Sequence, residues 1–306
     1  MRALVLTALI GLSLCPARAS AQGGERGQYT IAVDVDLVVF NVSVTDSKGR
    51  QVPGLKASDF RILEKGRLQE IKSFSTNDVP ASIGLVIDNS GSMMNKRDDV
   101  VSAALVFVGA SHPGDEMFAV NFNENVYLGL PSSSPFTSER TQMRSALVRN
   151  APVGLTALYD ALALGIEHLK SGTRDRKALV VLSDGGDNAS RRNLNDVLEI
   201  AKRSNATIYT IGIYDESNLD RNPRVLRRIS DLTGGKAYFP DSLRDMEQVW
   251  RDIAGAIRGQ YTIGYHSNDP GRDGLFRKVE ITARGRDRRV TTREGYFGPT
   301  AEPVAR

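Results

Sequence analysis

The sequence is nearly without cysteine: Cys15 is its only thiol. One thiol closes no intrachain disulfide, and Cys15 falls within an N-terminal stretch that reads as a removable leader, so no thiol nucleophile remains after cleavage. Histidine is almost as scarce. His112, His168 and His266 are the only three, and no His-Glu-x-x-His zinc motif or Gly-x-x-x-x-Gly-Lys-Ser/Thr phosphate loop occurs. His168 falls on an expected helix and His112 near a helix end, where structural roles dominate. Charge of one sign is lacking too. The chain has 40 basic and 36 acidic residues, and its pI of 9.2 reflects that small excess. Without the leader, which contains Arg2 and Arg18 and no acid, the net charge falls from +4 to +2. Basic clusters at Arg224-Arg227-Arg228 and Arg284-Arg286-Arg288-Arg289 lack the aromatic platforms or module of a nucleic-acid binder, so no nucleic acid is expected as partner.

The longest apolar run, Ala3 to Leu14, falls short of the ~20 residues that a membrane-spanning helix needs. Arg2 before it and the small residues Ala17, Ala19 and Ala21 after it complete a secretory signal peptide over residues 1–21. Leu14, rather than a small residue, precedes Cys15, which argues against a lipoprotein anchor. The expectation is an exported protein without a transmembrane segment after cleavage; periplasm, cell surface and medium all remain open.

The hydrophobic period divides the rest into three zones. From Tyr29 to about Ser75, within an N-terminal β segment taken as 29–79, apolar residues alternate as in a half-buried strand: Val38, Phe40, Val42 and Val44 against Val39, Asn41, Ser43 and Thr45. From about 80 to 258, continuous apolar runs alternate with amphipathic helical stretches. The runs are 83–87, 118–122, 178–182 and 207–211, with a short strand at 236–239. The helices are expected at 98–111, 139–150, 158–170, 193–204, 224–233 and 242–258. This is the pattern of a doubly wound α/β fold, with a mostly parallel, Rossmann-like sheet covered on both faces. Strand periods return over 259–297, and residues 298–306 read as a disordered tail. The two flanking zones are expected to join into one β-sandwich around the inserted α/β domain.

In a doubly wound sheet, ligands bind where loops leave the carboxyl ends of the strands. The first strand runs into Asp88-Asn89-Ser90-Gly91-Ser92, a second loop holds Gly154-Leu155-Thr156, and a third holds Ser183-Asp184-Gly185. Together Asp88, Ser90, Ser92, Thr156 and Asp184 offer two carboxylates and three hydroxyls, an all-oxygen set suited to a hard divalent cation. The expected cofactor is Mg2+, with Mn2+ or Ca2+ as substitutes. Neutral hydroxyls leave such a metal electrophilic, ready for an Asp or Glu carboxylate offered by a protein partner. Alternatives stand beside these assignments. Asp88, Ser90 and Ser92 can be read as a helix N-cap, and Thr156 as the cap of the helix after it. Asp187 and Asn188 read as loop and capping residues. Met93 and Met94 are candidates for either a soft contact surface or core packing.

The three-loop set resembles the metal-ion-dependent adhesion site of the von Willebrand factor type A domain, in which Asp-x-Ser-x-Ser, a loop threonine and a later Asp-Gly share one divalent cation. The resemblance covers about 80–258, and all five positions match. The flanks, with Asp59-Phe60, Glu64-Lys65-Gly66, Tyr261-Thr262-Ile263-Gly264-Tyr265 and Arg293-Glu294-Gly295-Tyr296-Phe297, resemble exported bacterial proteins called VWFA-related. The resemblance implies metal-dependent protein binding, in adhesion or complex assembly, and no enzyme activity. It also implies that a shift of the last helix accompanies a change at the metal. The rival readings are a metal-independent structural module of a cell-envelope complex and, behind it, a metal-dependent hydrolase. The oligomeric state is left open.

Overall fold

The computed structural model describes residues 37–76, 78–149, 152–214, 221–269 and 271–300. The expected signal peptide lies outside them. Apolar alternation builds the first flank as β1 (Leu37–Thr45), β2 (Phe60–Glu64), β3 (Arg67–Gln69) and β4 (Ile71–Ser75). In β1, Val38, Phe40, Val42 and Val44 face a core while the residues between them are more exposed, the one-sided burial that period 2 dictates.

The α/β region follows with β5 (Ala81–Asp88), α1 (Arg97–Ala110), β6 (Glu116–Phe122), β7 (Val126–Leu128), α2 (Arg140–Leu147) and α3 (Leu158–Leu169). It continues with β8 (Arg176–Ser183), α4 (Leu194–Arg203), β9 (Thr207–Gly212), α5 (Pro223–Leu232), β10 (Ala237–Tyr238) and α6 (Leu243–Arg258). The six strands are ordered β10-β9-β8-β5-β6-β7, and all pairings are parallel except β6 with β7. β5 is buried along its whole length because helices cover both faces of the sheet. α1 packs against α2 and α6, with Phe107 and Trp250 in contact at 5.3 Å, while α3 packs against α4 and α4 against α5. Local signals set the helix starts. Asn193 caps α4 in a reciprocal box with Asp196, and Asn222 caps α5 just before Pro223.

The last strands are β11 (Tyr261–His266), β12 (Phe276–Ala283), β13 (Arg289–Thr291) and β14 (Gly295–Phe297). They interleave with the first flank in two antiparallel four-stranded sheets, β13-β1-β11-β4 and β14-β12-β2-β3. Both sheets contribute to one apolar cluster that contains Phe40, Val42, Ile62, Ile263, Tyr265 and Ile281. The α/β region is therefore inserted between strands of a sandwich. Where it leaves and re-enters, Arg258 at the end of α6 pairs with Asp78. Arg176, 2% exposed at the start of β8, donates to the carbonyls of Ile257 (2.9 Å), Arg258 (3.3 Å) and Gln260 (3.0 Å). Arg293 ties the other side, donating to Val39 O at 2.8 Å and Ser204 O at 3.3 Å.

The expectation of a tail beginning at residue 298 needs correction at its start. Gly298 N donates to Leu275 O at 2.9 Å, and Thr300 bridges Asp273, so residues 298–300 pack on the loop before β12. Residues 301–306 lie outside the described residues.

Candidate functional site

Three loops meet at the carboxyl end of the parallel strands. The first begins where β5 ends, at Asp88, which is 1% exposed. Its Oδ1 accepts the Ser90 backbone N–H at 2.9 Å, a tight turn that throws the following residues across the strand end. Ser90 is extended and precedes a 3₁₀ turn at Gly91–Lys96, but its side chain makes no capping bond to that turn. Instead the Ser90 and Ser92 hydroxyls are 3.1 Å apart, and Ser92 Oγ donates to Asp184 Oδ2 at 2.9 Å. The two hydroxyls bond to each other and, through Ser92, to the third loop, so the capping reading of this motif fails. Met93 and Met94 divide their two roles: Met93 is in the core and Met94 is exposed.

The second loop is pinned to the first by two backbone bonds, Gly91 N to Gly154 O (3.1 Å) and Val153 N to Asn89 O (3.0 Å). Gly154 has φ +85, and the Glu124 carboxylate occupies the place where its Cβ would stand. The same carboxylate accepts Leu155 N–H at 3.0 Å. Thr156 is buried and does not cap α3. The free N–H groups of that helix are taken by the third loop: Tyr159 N donates to Asp187 Oδ2 (2.9 Å) and Asp160 N to Ser190 Oγ (3.0 Å). Asn188 Oδ1 accepts the Thr156 N–H at 2.8 Å. Asp187 is thus a capping residue of α3 and Asn188 a loop residue that braces the turn before it, and the Thr156 hydroxyl makes no hydrogen bond among the described residues.

The third loop follows β8. Ser183 Oγ donates to Asp88 Oδ2 at 2.7 Å, and Gly186 N to Asp184 Oδ1 at 2.9 Å. Asp88, Ser90, Ser92 and Asp184 are therefore joined by hydrogen bonds, and Thr156 is brought beside them by the backbone of its loop. Burial pushes the Asp88 carboxyl up to about 6, with the Asp184 charge adding to the shift, while bonds from Ser183 and Ser90 oppose it. Two close, buried carboxylates and three hydroxyls, one of them without a partner, fit a hard divalent cation. Among the described residues no group of three His, Cys, Asp or Glu side chains converges, so the softer donor sets of zinc or copper have no counterpart there.

Several supporting residues had no role in the sequence reading. Ser183 lay inside the third motif, and only the fold shows its hydroxyl directed at Asp88. Asn121 interrupts the apolar run of β6, and that interruption was the available signal. It accepts from Asn89 Nδ2 at 3.1 Å and donates to Ala146 O at 2.7 Å. Arg97 reaches Asn89 Oδ1 from the other side and Leu147 O at 3.1 Å. Asn89, the second residue of the first motif, is thereby fixed to α1 through Arg97 and tied to α2 through Arg97 and Asn121. Two of the histidines have structural contacts: His168 stacks on Phe136 and packs at a tilt against Phe118, and His112 Nδ1 accepts Gly114 N–H at 2.9 Å.

Comparison with known proteins gives three findings. Residues 82–251 match the family described as von Willebrand factor type A domain. The uncharacterized protein sll0103 of Synechocystis sp. is 28% identical over 181 residues, which are 57% of this chain and 41% of that one. The chain therefore spans about two fifths of the length of this curated relative. Among solved structures, a von Willebrand factor type A protein from Catenulispora acidiphila aligns with TM-score 0.53 at 14% identity, over 87% of this chain and 75% of that one. The vWF domain of the type V pili tip protein Mfa5 from Porphyromonas gingivalis aligns with TM-score 0.50 at 14% identity, over 58% and 95%.

Proposed function

Because the chain belongs to the von Willebrand factor type A domain family, we propose that it is an exported protein-binding module that captures a partner's carboxylate at a divalent cation held by Asp88, Ser90, Ser92, Thr156 and Asp184. The observation that carries this reading is the joining of the first and third loops by bonds that run through the candidate ligands themselves, between Ser183 and Asp88 and between Ser92 and Asp184, with the second loop pinned to the first by its backbone. Mg2+ bound there supplies an electrophilic centre for an anionic oxygen. The chain's own residues hold that centre in place: Asp88 and Asp184 supply the charge, and Ser90, Ser92 and Thr156 supply neutral oxygens. The loops need little reorganisation to do so, since Asn89, Gly154 and Asp184 are each fixed by backbone bonds. A like-folded domain occurs in a pilus tip protein, in keeping with adhesion or complex assembly. The signal peptide read in the sequence supports export, and no helix among the described residues is long and apolar enough to cross a membrane.

Calorimetric titration of Mg2+ and Mn2+ into the protein and into Asp88→Ala tests the site. Saturable uptake by the protein and none by the variant is expected. Partner capture that survives both Asp88→Ala and excess chelator would sink the metal reading. It would favour the second one, a structural module whose interface lies on the sandwich. Exposed Leu68 on β3 and Leu275 before β12 are the observation that keeps that reading in view.

A further inference from the structure

Resting on the metal reading above, we infer that Met94, Val153 and Leu155 form an apolar subsite beside the cation, which selects protein segments whose acidic residue is flanked by a bulky apolar side chain. Single exposed apolar residues are ordinary on a protein surface, and only their concentration is informative. Nine large hydrophobic side chains are exposed among the described residues, and five of them, Met94, Tyr127, Val148, Val153 and Leu155, fall between residues 94 and 155. The other four are on the sandwich. Met94, Val153 and Leu155 are 57%, 50% and 54% exposed, and they belong to the first and second loops of the site.

Their exposure is built into those loops. Gly91 N–H bonds to Gly154 O, Val153 N–H to Asn89 O and Leu155 N–H to Glu124, so the two segments are fastened together. Met93 and Thr156, their neighbours in sequence, are the residues that turn into the protein. A fixed apolar rim loses little freedom when a partner covers it.

The charge beside the third loop points to the same class of occupant. Asn222 N donates to Asp184 O at 2.9 Å, which puts exposed Arg221 next to the third loop. Arg191 and Arg192 leave the same loop, and Arg192 pairs with Asp160. An anionic segment thus meets a cation held among the loops, basic side chains beside the third loop and apolar ones on the first two. A peptide with an acid next to a leucine or phenylalanine complements the charge and the apolar rim together, whereas a lone acid answers only the charge.

The test uses the Mg2+-loaded protein and three blocked pentapeptides. One has a glutamate flanked by glycines, one a glutamate flanked by leucine and phenylalanine, and one a glutamine in the second context. Affinities are read by NMR titration, and Mg2+ uptake is read separately by calorimetry. The apolar-flanked glutamate is expected to bind about tenfold or more tighter than the glycine-flanked one. The double variant Met94→Ser/Leu155→Ser should erase that preference and leave Mg2+ uptake unchanged. Equal binding of the two glutamate peptides, or a preference that survives in the double variant, overturns the inference alone. A glutamine peptide that binds as well as its glutamate counterpart, in a protein that takes up no Mg2+, overturns the metal reading along with it.

Discussion

Ser183 donates its hydroxyl to Asp88 at 2.7 Å, so the residue that precedes one carboxylate of the site restrains the other. The same oxygen accepts Gly185 N–H at 3.1 Å, which couples the shape of the third loop to the position of Asp88. Ser183→Ala removes a bond to a buried carboxylate and leaves both partners short. The expected cost is about 1.5–3 kcal/mol of stability, measured by urea unfolding in chelator. Mg2+ affinity should fall by about tenfold or more, as is usual when a ligand loses its outer support. An unchanged Mg2+ affinity would show that Asp88 needs no such restraint.

The Asp88 carboxyl itself predicts a pH dependence. In the metal-free protein burial pushes it up to about 6, against about 3.9 when unfolded. Between those values the folded chain keeps a proton that the unfolded chain has released, so acid favours the folded state. This contribution is full below about pH 4, is lost as pH rises toward about 6, and amounts to roughly 3 kcal/mol. Asp88→Asn removes the titration. In chelator at pH 7 the variant should be at least as stable as the wild type, and only the wild type should gain stability from Mg2+. That gain should shrink below about pH 6, where protons compete for the carboxylate. Thermal melts at several pH values, with and without Mg2+, check both statements.

Gly154→Ala should damage the second loop. Its φ of +85 disfavours any side chain, and the Glu124 carboxylate already stands where the Cβ would go. Displacing Glu124 also releases its bond to Leu155 N–H. A loss of about 1–3 kcal/mol is expected, together with weaker Mg2+ binding through a displaced Thr156. Calorimetry on the folded variant separates the two effects.

Arg176→Met tests the junction. The guanidinium serves three carbonyls at the end of α6 and the entry to β11, and methionine leaves them unpaired in a buried place. Unfolding free energy should fall by about 3 kcal/mol or more. Any displacement of α6 has to break the same bonds, so hydrogen exchange should quicken first in the last turn of α6 in this variant.

The sequence exposes the α/β fold most clearly where burial is complete. The runs ending at Ile87, Phe122, Leu182 and Ile211 have apolar residues on both faces, the pattern of strands in a covered parallel sheet when they alternate with amphipathic helices. The helix starts carry local signals such as Asn193 and Asn222. The motif residues of the first and third loops are legible because each loop directly follows such a strand. Other features are set by tertiary contact. β7 is three residues long and antiparallel, too short to show a period. The Ser183 bond, the Glu124 brace and the Asn89–Asn121 link each join segments far apart in the chain. The pairing Phe40↔Ile263 leaves no trace in the spacing of either strand. The loop after β14 reads as a tail by composition, yet Gly298 closes against Leu275 through a backbone bond that composition does not reveal.

The interleaved sandwich dictates an order of assembly. The sheet neighbours of β1, the first strand among the described residues, are β11 and β13, and neither exists until the whole inserted domain has been made. During synthesis β1 therefore waits with two bare edges, the state most open to mispairing. The inserted domain has every strand of its own sheet and can close first, with its ends held together by Arg258 and Asp78. Once closed, it delivers β11 to β1 as a short-range encounter rather than a search across a long loop. A chain stopped after Arg258 should accordingly retain a protease-resistant α/β core while β1 to β4 are digested.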